Sequence, residues 1–362
     1  MQINDPKRNI PYIIGETAYN HEGDINYLFR MIDEIAELQL NAVKFHLLLN
    51  LESYIQKNHP LIATLKKWIF NQSQWDEIID YSIEKGLDVI ALCDDVESCE
   101  YLINTGKKID SLELHPVSIN DHFLLDSISN FDGRIILGVG GASLEEIRYA
   151  IDFLTNRGRN NILLMFGFQS YPTNYQEINL SKMIKIRDLF DLPVGYADHT
   201  AYNDPDNTFI SILGAAMGFE ILEKHYTLNV GQERIDYHAA IGKKQMKEIN
   251  RLMKLVLDVY GIGSIEMSKA ELNYGNIGPM KKAIVAKTDI SKGTQLSLDN
   301  LWFKRTQEES YIEQNQFLKL LGLETTVNIN SDEIIDYSKI KYQFQKMSEK
   351  DFTNIGKNEE KD

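Results

Sequence analysis

The sequence predicts a (β/α)8 barrel followed by a small β-rich module. Short β-rich runs alternate with amphipathic stretches from about residue 10 to 260, giving eight strand–helix units. Roughly 250 residues is the usual size of such a barrel. A doubly wound sheet shows the same alternation, but no G-x-G-x-x-G opens a helix here, and that favours the barrel. At roughly 150 residues per domain, the 362-residue chain has room for about two domains and a remainder.

The first strand is read at 10–18 (IPYIIGETA), followed by a helix over 24–40 in which Leu28, Met31, Ile32, Ile35, Ala36 and Leu38 fall mostly on one stripe. Strands follow at 42–48 (AVKFHLL), 88–94 (DVIALCD), 111–116 (SLELHP) and 134–140 (RIILGVG). The last three are 161–167 (NILLMFG), 193–198 (PVGYAD) and 220–227 (EILEKHYT). Each has a helix-like segment behind it. The stretch 143–158 shows the pattern well, with Ser143 as N-cap, glutamates in the first turn and a closing glycine. Residues 49–72 form a longer connection that includes Trp68 and Phe70, a length that suggests a lid or substrate loop.

After Gly263 the texture changes. The expected domains are a barrel over 1–265, a linker over 266–281, a β-leaning module over 282–345 and a polar, disordered tail over 346–362. Within the module, 282–305 alternates like β-structure, with a Lys292-Gly293 turn and a short helical start at 297–301; 325–340 is a second β-leaning stretch.

Composition narrows the function classes. Hydrophobic residues make up 43% and charged residues 25%, a globular balance. No apolar run approaches the ~20 residues of a membrane helix. The start lacks a signal-peptide pattern, and the two cysteines, Cys93 and Cys99, exclude a disulfide framework or a Cys-rich zinc module. A cytoplasmic protein is the expectation. A formal charge of −15 argues against nucleic acid or an anionic membrane as partner, so an anionic substrate would need a locally positive pocket.

In a barrel, catalytic residues come from the C-terminal ends of the strands. His199 and His225 end the seventh and eighth β-runs, neighbours in a closing barrel, where two imidazoles can hold a divalent metal with positions left open. Two unrelated hydrogen-bonded histidines are the plainer alternative. Glu223 lies two residues before His225, on the same strand face, able to orient a metal-bound water. Lys44, in a buried-looking strand, must pair with an anion of the protein, such as Glu16, or of the substrate. Glu16 and Asp236 are candidate acid/base groups or simple salt-bridge partners. Asn20, His21, His46, Gln169, Ser170, Tyr171, Asp198 and Lys224 are the other polar residues at strand ends. Arg305, in the small module, reads as a surface charge.

The segments IIGETAYNHEGD (13–24), AVKFH (42–46), QSYPT (169–173), LPVGYADHT (192–200), EILEKHYTLNVG (220–231) and AIVAKTDISKGTQLSLDNLWFKR (283–305) together resemble the N-acetylneuraminate (sialic acid) synthase family over nearly the whole chain. The last segment resembles the antifreeze-like (SAF) domain that closes these synthases. The resemblance implies a TIM barrel with a C-terminal SAF domain, in a domain-swapped homodimer. It also implies condensation of phosphoenolpyruvate with an open-chain N-acetylated sugar aldehyde, giving a nonulosonic acid and phosphate in surface-polysaccharide biosynthesis. A divalent metal, Mn2+ with Mg2+ or Co2+ as alternatives, is implied as cofactor. It would be held by His199 and His225, with Glu223 on a metal-bound water, and would polarise the aldehyde for attack by C3 of the donor. By motif match, Glu16 lies near the sugar and attacking water, Lys44 binds the donor, Tyr171 and Asp236 surround the sugar, and Arg305 reaches its N-acyl group across the dimer. His46, Asp198 and Lys224 complete the substrate-binding set.

Departures from the family pattern concentrate on the donor side. FSTPF corresponds to IALCD, putting Leu92 at a substrate-binding threonine; KIASGE corresponds to SLELHP, with Leu112 and His115 near the lost lysine and serine. Gly138 and Ala197 replace serines, Gln169 an asparagine and His46 a glutamine. Each hydrogen bond lost to a charged group costs about 1.5–3 kcal/mol. These losses raise two alternatives, a metal-dependent aldolase- or lyase-like enzyme with another donor, and a non-catalytic sugar-binding paralogue. If protonated, His46 and His115 are replacement cations for the donor, although ordinary hydrogen-bonded histidines are the plainer reading.

Overall fold

Strands buried on both faces read as near-continuous apolar runs, and eight such runs close here into one parallel barrel. The computed structural model describes residues 11–343 apart from 169, 171, 172, 220 and 262. The barrel strands are β1 (Tyr12–Ala18), β2 (Ala42–Leu47), β3 (Asp88–Cys93), β4 (Ser111–Leu114), β5 (Arg134–Gly138), β6 (Ile162–Phe166), β7 (Val194–Asp198) and β8 (Ile221–His225). They pair in sequence order, and β8 returns to β1. Several stop short of their sequence-read ends because the rim residues turn away into loops.

Around them run α1 (Ile25–Glu37), α2 (Leu51–Tyr54), α3 (Ile62–Trp68), α4 (Gln72–Glu84), α5 (Val96–Asn104) and α6 (His122–Ile128). Then come α7 (Leu144–Thr155), α8 (Tyr175–Ile178), α9 (Leu180–Phe190), α10 (Asn207–Ala216) and α11 (Lys243–Tyr260). Helix α1 begins where the Asp24 carboxylate accepts from the Tyr27 amide at 3.0 Å, and buries Leu28, Met31, Ile32 and Ile35. It stops before residue 40, because Gln39 takes a left-handed φ of 55°. Helix α7 starts at Ser143 through a capping box with Glu146.

Period-2 alternation sorts the strand residues into two layers. Outward side chains such as Val43, Phe45, Val89, Ala91, Leu112, Leu114 and Leu222 join the helices in the main core. Inward ones, among them Tyr12, Ile14, Ala42, Ile90, Ile136, Leu163 and Met165, plug the barrel. Above that plug the inward positions turn polar. The rim is tight at β5–β7. A Cβ on Gly140 would lie 1.5 Å from the Gly167 carbonyl oxygen, and one on Gly167 would lie 2.1 Å from that of Ala197.

The 49–72 connection holds α2 and α3 and is pinned rather than loose. Asp95 accepts from the Leu49 and Asn50 amides at 2.7 and 3.0 Å. Phe70 stacks on His21, with centroids 4.6 Å apart. None of its residues lines the principal cavity.

The chain divides into a unit over Met1–Gly263 and another over Ser264–Asp362. The second begins with α12 (Lys269–Tyr274), inside the stretch read as linker, and contains α13 (Phe317–Leu320). Among the described residues its sheet is one antiparallel pair, β9 (Ala283–Ala286) with β10 (Leu301–Lys304). Isolated bridges at Ile290–Ile329, Val285–Ile334, Gln295–Glu324 and Thr325–Ile340 tie the rest together. The module is therefore less strand-rich than its alternation suggested, and 297–301 forms a turn entering β10 rather than a helix. Gly293, at φ 84°, makes the Lys-Gly turn. The stretch read as a disordered tail falls outside the described residues.

Candidate active site

Strand register assembles the site. Glu16 on β1 lies beside Lys44 on β2 and beside His225 on β8, while Ala197 on β7 lies beside Glu223 on β8. Glu113 enters from β4, two residues before His115. These side chains converge above the plug, at the C-terminal rim, and Glu16, Lys44, His46, Glu113, His115, His199 and Glu223 line a cavity of about 590 Å³.

Lys44 is its electrostatic centre. The Nζ stands 2.9 Å from Glu113 Oε2, 2.9 Å from Glu223 Oε2 and 3.2 Å from Glu16 Oε1, all of them buried. Burial works against each of these charges. It would deprotonate Lys44, but Glu113, Glu16 and Glu223 hold the ammonium well above the ordinary lysine range. Burial would also raise Glu16, yet Lys44, with His225 and His46, keeps that carboxyl well below the usual range. At Glu113 burial prevails and the carboxyl is pushed up; at Glu223 burial and repulsion from Glu16 push it well up. Glu16 is thus the ionised member of the set, and Glu113 and Glu223 are the ones that take up protons most readily.

His46 extends the cluster outward. Its Nε2 lies 3.0 Å from Glu16 Oε1 and its Nδ1 4.0 Å from Asp94 Oδ2, while Tyr19 donates to that same Asp94 oxygen at 2.7 Å. Burial opposes a charge on the ring, but the Glu16 hydrogen bond together with the charges of Asp94 and Glu16 outweighs it, and His46 is pushed up.

His199 and His225 sit side by side, with ring centroids 5.1 Å apart. Burial and the neighbouring His225 push His199 down to about 3, so its ring is neutral, the form that ligates metals. The His225 Nε2 is buried without a hydrogen-bond partner, 3.4 Å from Glu16 Oε2. An orphaned imidazole nitrogen next to a neutral one, with a carboxylate alongside, fits a divalent cation that draws its remaining ligands from substrate and water. Among the described residues no three or more His, Cys, Asp or Glu side chains form a complete cage.

Several expectations change. Asp198 and Lys224 do not face the cavity. Alternation turns them outward, where Lys224 Nζ donates to Asp198 Oδ2 at 2.6 Å and Ser211, Thr200 and Tyr196 also donate to the carboxylate. Burial would raise Asp198, but Lys224, with Ser211 and Thr200, lowers it to about 2. This ion pair fastens β7 and β8 to α10. Leu112 likewise points into the helix layer, so Glu113, and not Leu112, stands in the cavity. Lys44 faces the cavity, hydrogen-bonded to Glu223 and at ion-pair distance from Glu113 and Glu16. Asp236 lies off the cavity wall, in the loop after β8, at φ 58°. Arg305, in the second unit, donates through Nε and Nη2 to the Pro279 carbonyl at 3.0 and 2.5 Å. Tyr171 and Gln169 lie outside the described residues. His115 lines the cavity with its ring pushed down to about 4 by burial, His46 and Lys44, so it supplies no cation at neutral pH. Glu113 escaped the sequence reading, although its spacing from His115 puts the two on one strand face. Met165, Phe168 and Lys182 also line the wall.

The site thus lies at the C-terminal rim of a closed parallel barrel, with carboxylates and paired imidazoles, in a chain that continues into a second small unit. A family model described as the NeuB family matches residues 31–265, and one described as the SAF domain matches 281–341. The chain belongs to the NeuB family, as a divergent, sialic acid synthase-like member. The N,N'-diacetyllegionaminic acid synthase of Campylobacter jejuni is 30% identical, over 89% of this chain and 98% of that protein. The N-acetylneuraminic acid synthetase structure from Leptospira borgpetersenii is 28% identical, with a TM-score of 0.67 over 73% of this chain and 90% of that one. A structure assigned as spore coat polysaccharide biosynthesis protein E, from Chromobacterium violaceum, aligns with a TM-score of 0.80 at 21% identity, over 92% of this chain and all of that one. No helix among the described residues is long and apolar enough to cross a membrane.

Proposed function

We propose that the protein is a carbon–carbon bond-forming enzyme of nonulosonic acid synthesis, serving surface-polysaccharide assembly. It adds a three-carbon, pyruvate-derived unit to the aldehyde of an open-chain N-acetylated sugar. The observation that carries this reading is the His199–His225 pair beside Glu16 at the barrel rim, in a chain 30% identical to a legionaminic acid synthase. His199 and His225 would hold a divalent cation, Mn2+ first, with Mg2+ and Co2+ as alternatives. When bound, that cation supplies Lewis-acid polarisation of a substrate carbonyl.

The chain's own residues do the rest. Glu16, kept ionised by Lys44 and His46, orients a hydroxyl or water at the reacting carbon and accepts its proton. Glu223, whose carboxyl burial and Glu16 push well up, is a member of the set suited to carry a proton and donate it to a developing alkoxide. Glycines at the tips of β5 and β6 let the strand ends close together beside the cavity. The reading includes the homodimer that the family resemblance implies.

Phosphoenolpyruvate is the donor expected from the resemblance, and the Lys44 cluster is the observation that favours a second reading, an aldolase-type enzyme with another donor. The reaction class itself is tested by incubating the full chain with Mn2+, phosphoenolpyruvate or pyruvate, and a panel of N-acetylated hexoses, including 6-deoxy di-N-acetyl hexoses. Mass spectrometry should show a product larger than the sugar by one pyruvate unit. His199→Ala and His225→Ala should each lower its rate by about 100-fold or more, the scale of losing a major electrostatic group. No adduct from any sugar with either donor would overturn the reading.

A further inference from the structure

We infer that Asp94 is a positioning residue of this site. Backed by Tyr19, it holds the His46 imidazole on one oxygen of Glu16, and so keeps the other oxygen facing the histidine pair. The inference rests on the proposed reaction at a sugar aldehyde, in which Glu16 is the accepting carboxylate. Among the described residues His46 lines the cavity and Asp94 does not. Asp94 therefore acts through the ring in front of it.

The two oxygens of Glu16 have different surroundings. Oε1 is met by Lys44 Nζ at 3.2 Å and by His46 Nε2 at 3.0 Å. Oε2 stands 3.4 Å from His225 Nε2. The terminal torsion of a glutamate is intrinsically soft, so its orientation comes from such contacts. With Oε1 tethered to two partners, rotation of the carboxylate would break both, and Oε2 stays aimed at the histidine pair. An ionised carboxylate only accepts hydrogen bonds, so His46 Nε2 carries the proton in this contact. Across the ring, Asp94 Oδ2 stands 4.0 Å from Nδ1. That is longer than a hydrogen bond, but opposite charges in a buried site act strongly at this range.

Neighbouring strand ends bring the pair together. His46 lies beside Leu92 in the β2–β3 register, and the Asp94 amide donates to the Leu47 carbonyl at 3.0 Å. The chain just past β3 therefore runs along the end of β2. Tyr19 completes the arrangement. Its hydroxyl donates to Asp94 Oδ2 at 2.7 Å, and its ring meets the His46 ring edge-on with centroids 5.5 Å apart. Both members of the pair depart from the family pattern. His46 stands for a glutamine, and the match of IALCD to FSTPF sets Asp94 against the closing phenylalanine. A phenylalanine at 94 would give His46 no charge and Tyr19 no acceptor. A glutamine at 46 would leave the buried Asp94 without its cationic neighbour. Two departures that look unrelated along the chain thus form one unit in the fold.

Titratable groups surround the ring on several elements. Glu16, Tyr19 and His21 face it from β1 and the turn that follows, and Lys44 from its own strand. Asp94 faces it from the end of β3, and His115 from the turn after β4. Burial and Lys44 oppose a charge on the ring, but Glu16 and Asp94 favour it more, so His46 is pushed up. The charged ring is then present at neutral pH and is lost as pH rises through the raised value. His21 and His115 form no ion pair among the described residues, and burial first of all pushes them down to about 3 and about 4. What sets His46 apart is a carboxylate on each side of its ring.

Two readouts test this, one of them independent of the reaction. NMR of the full chain with ring-labelled histidine, recorded without added metal, follows the His46 titration, and His46→Gln identifies its resonance. Asp94→Asn keeps the side-chain shape and an acceptor for Tyr19 but removes one of the two flanking charges. His46 should then titrate about 1 pH unit lower, the scale of losing an opposite charge at this range. In the adduct assay, Asp94→Asn should lower kcat about 10-fold, the low end for loss of an outer partner. KM for the sugar should change by less than about twofold, the pattern of an interaction made in the transition state. Because Asp94 acts through the ring, adding Asp94→Asn to His46→Gln should cost no further activity. A lowered His46 titration with losses that fail to multiply supports the positioning role. An unchanged titration, or losses that multiply in the double variant, would overturn it. A wild-type chain that forms no adduct while Asp94→Asn still lowers the His46 titration would overturn the proposed reaction and leave the Asp94–His46 pairing standing.

Discussion

Replacing Lys44 by methionine is expected to cost about 3–5 kcal/mol of stability, the scale for removing one partner from a buried ionic group. The reason is specific to this cluster. Three buried carboxyl groups share one ammonium, with separations of 2.9, 2.9 and 3.2 Å. Without it Glu16 loses the main charge that keeps its carboxyl low. Urea unfolding followed by circular dichroism measures the loss. Its pH dependence distinguishes this cause from simple repacking. Buried carboxyls without a cation have folded-state pKa values raised above their unfolded values. Their protonated forms then contribute stability that is present below the unfolded pKa and lost as pH rises through the folded one. The Lys44→Met variant should therefore regain stability, relative to wild type, as pH is lowered from 8 towards 5. A penalty that stays constant over that range would contradict the electrostatic account.

Lys224→Met should produce a loss of similar size, about 3–5 kcal/mol, with a different functional signature. Lys224 and Asp198 are both buried and point away from the cavity into the layer beneath α10. Removing the lysine strands an Asp198 carboxylate whose pKa it helps to lower to about 2. Adding Asp198→Asn should recover part of the loss, since Ser211 and Thr200 can still hydrogen-bond an amide, and replacing both members of a buried pair is often close to neutral. Thermal denaturation of the two variants measures this. In the adduct assay, the double variant should keep its KM for the sugar below its melting temperature. A KM raised tenfold would return Lys224 and Asp198 to the substrate.

The barrel was legible because its physics is periodic. Strands such as β3 and β5 are buried on both faces and read, after an opening Asp88 or Arg134, as apolar runs, and α7 carries its cap in Ser143 and Glu146. The second unit was less legible, because its hydrophobic residues pair through single bridges such as Ile290–Ile329 rather than through long strands. At the site, His199, His225, Glu16 and Glu223 were visible from their places at strand ends. Asp198 and Lys224 were misplaced because residue type was weighed ahead of parity. On β8, Glu223 and His225 cannot face inward unless Lys224 faces out. The same parity argument starting from His115 would have found Glu113. That all three glutamates fall on a single lysine could not be read from the sequence, since it depends on the register between β1 and β2 and on β4 entering the ring two strands away.

The central claim is that His199 and His225 form the cation seat at which the aldehyde reacts. Calorimetric titration of the full chain with Mn2+ tests it most directly, with wild type, His199→Ala and His225→Ala compared at one pH. The account predicts one Mn2+ per chain in wild type. It also predicts that each variant binds more weakly by at least the roughly 10–100-fold seen when only an outer partner of a metal ligand is lost. Equal affinity in all three proteins would contradict it.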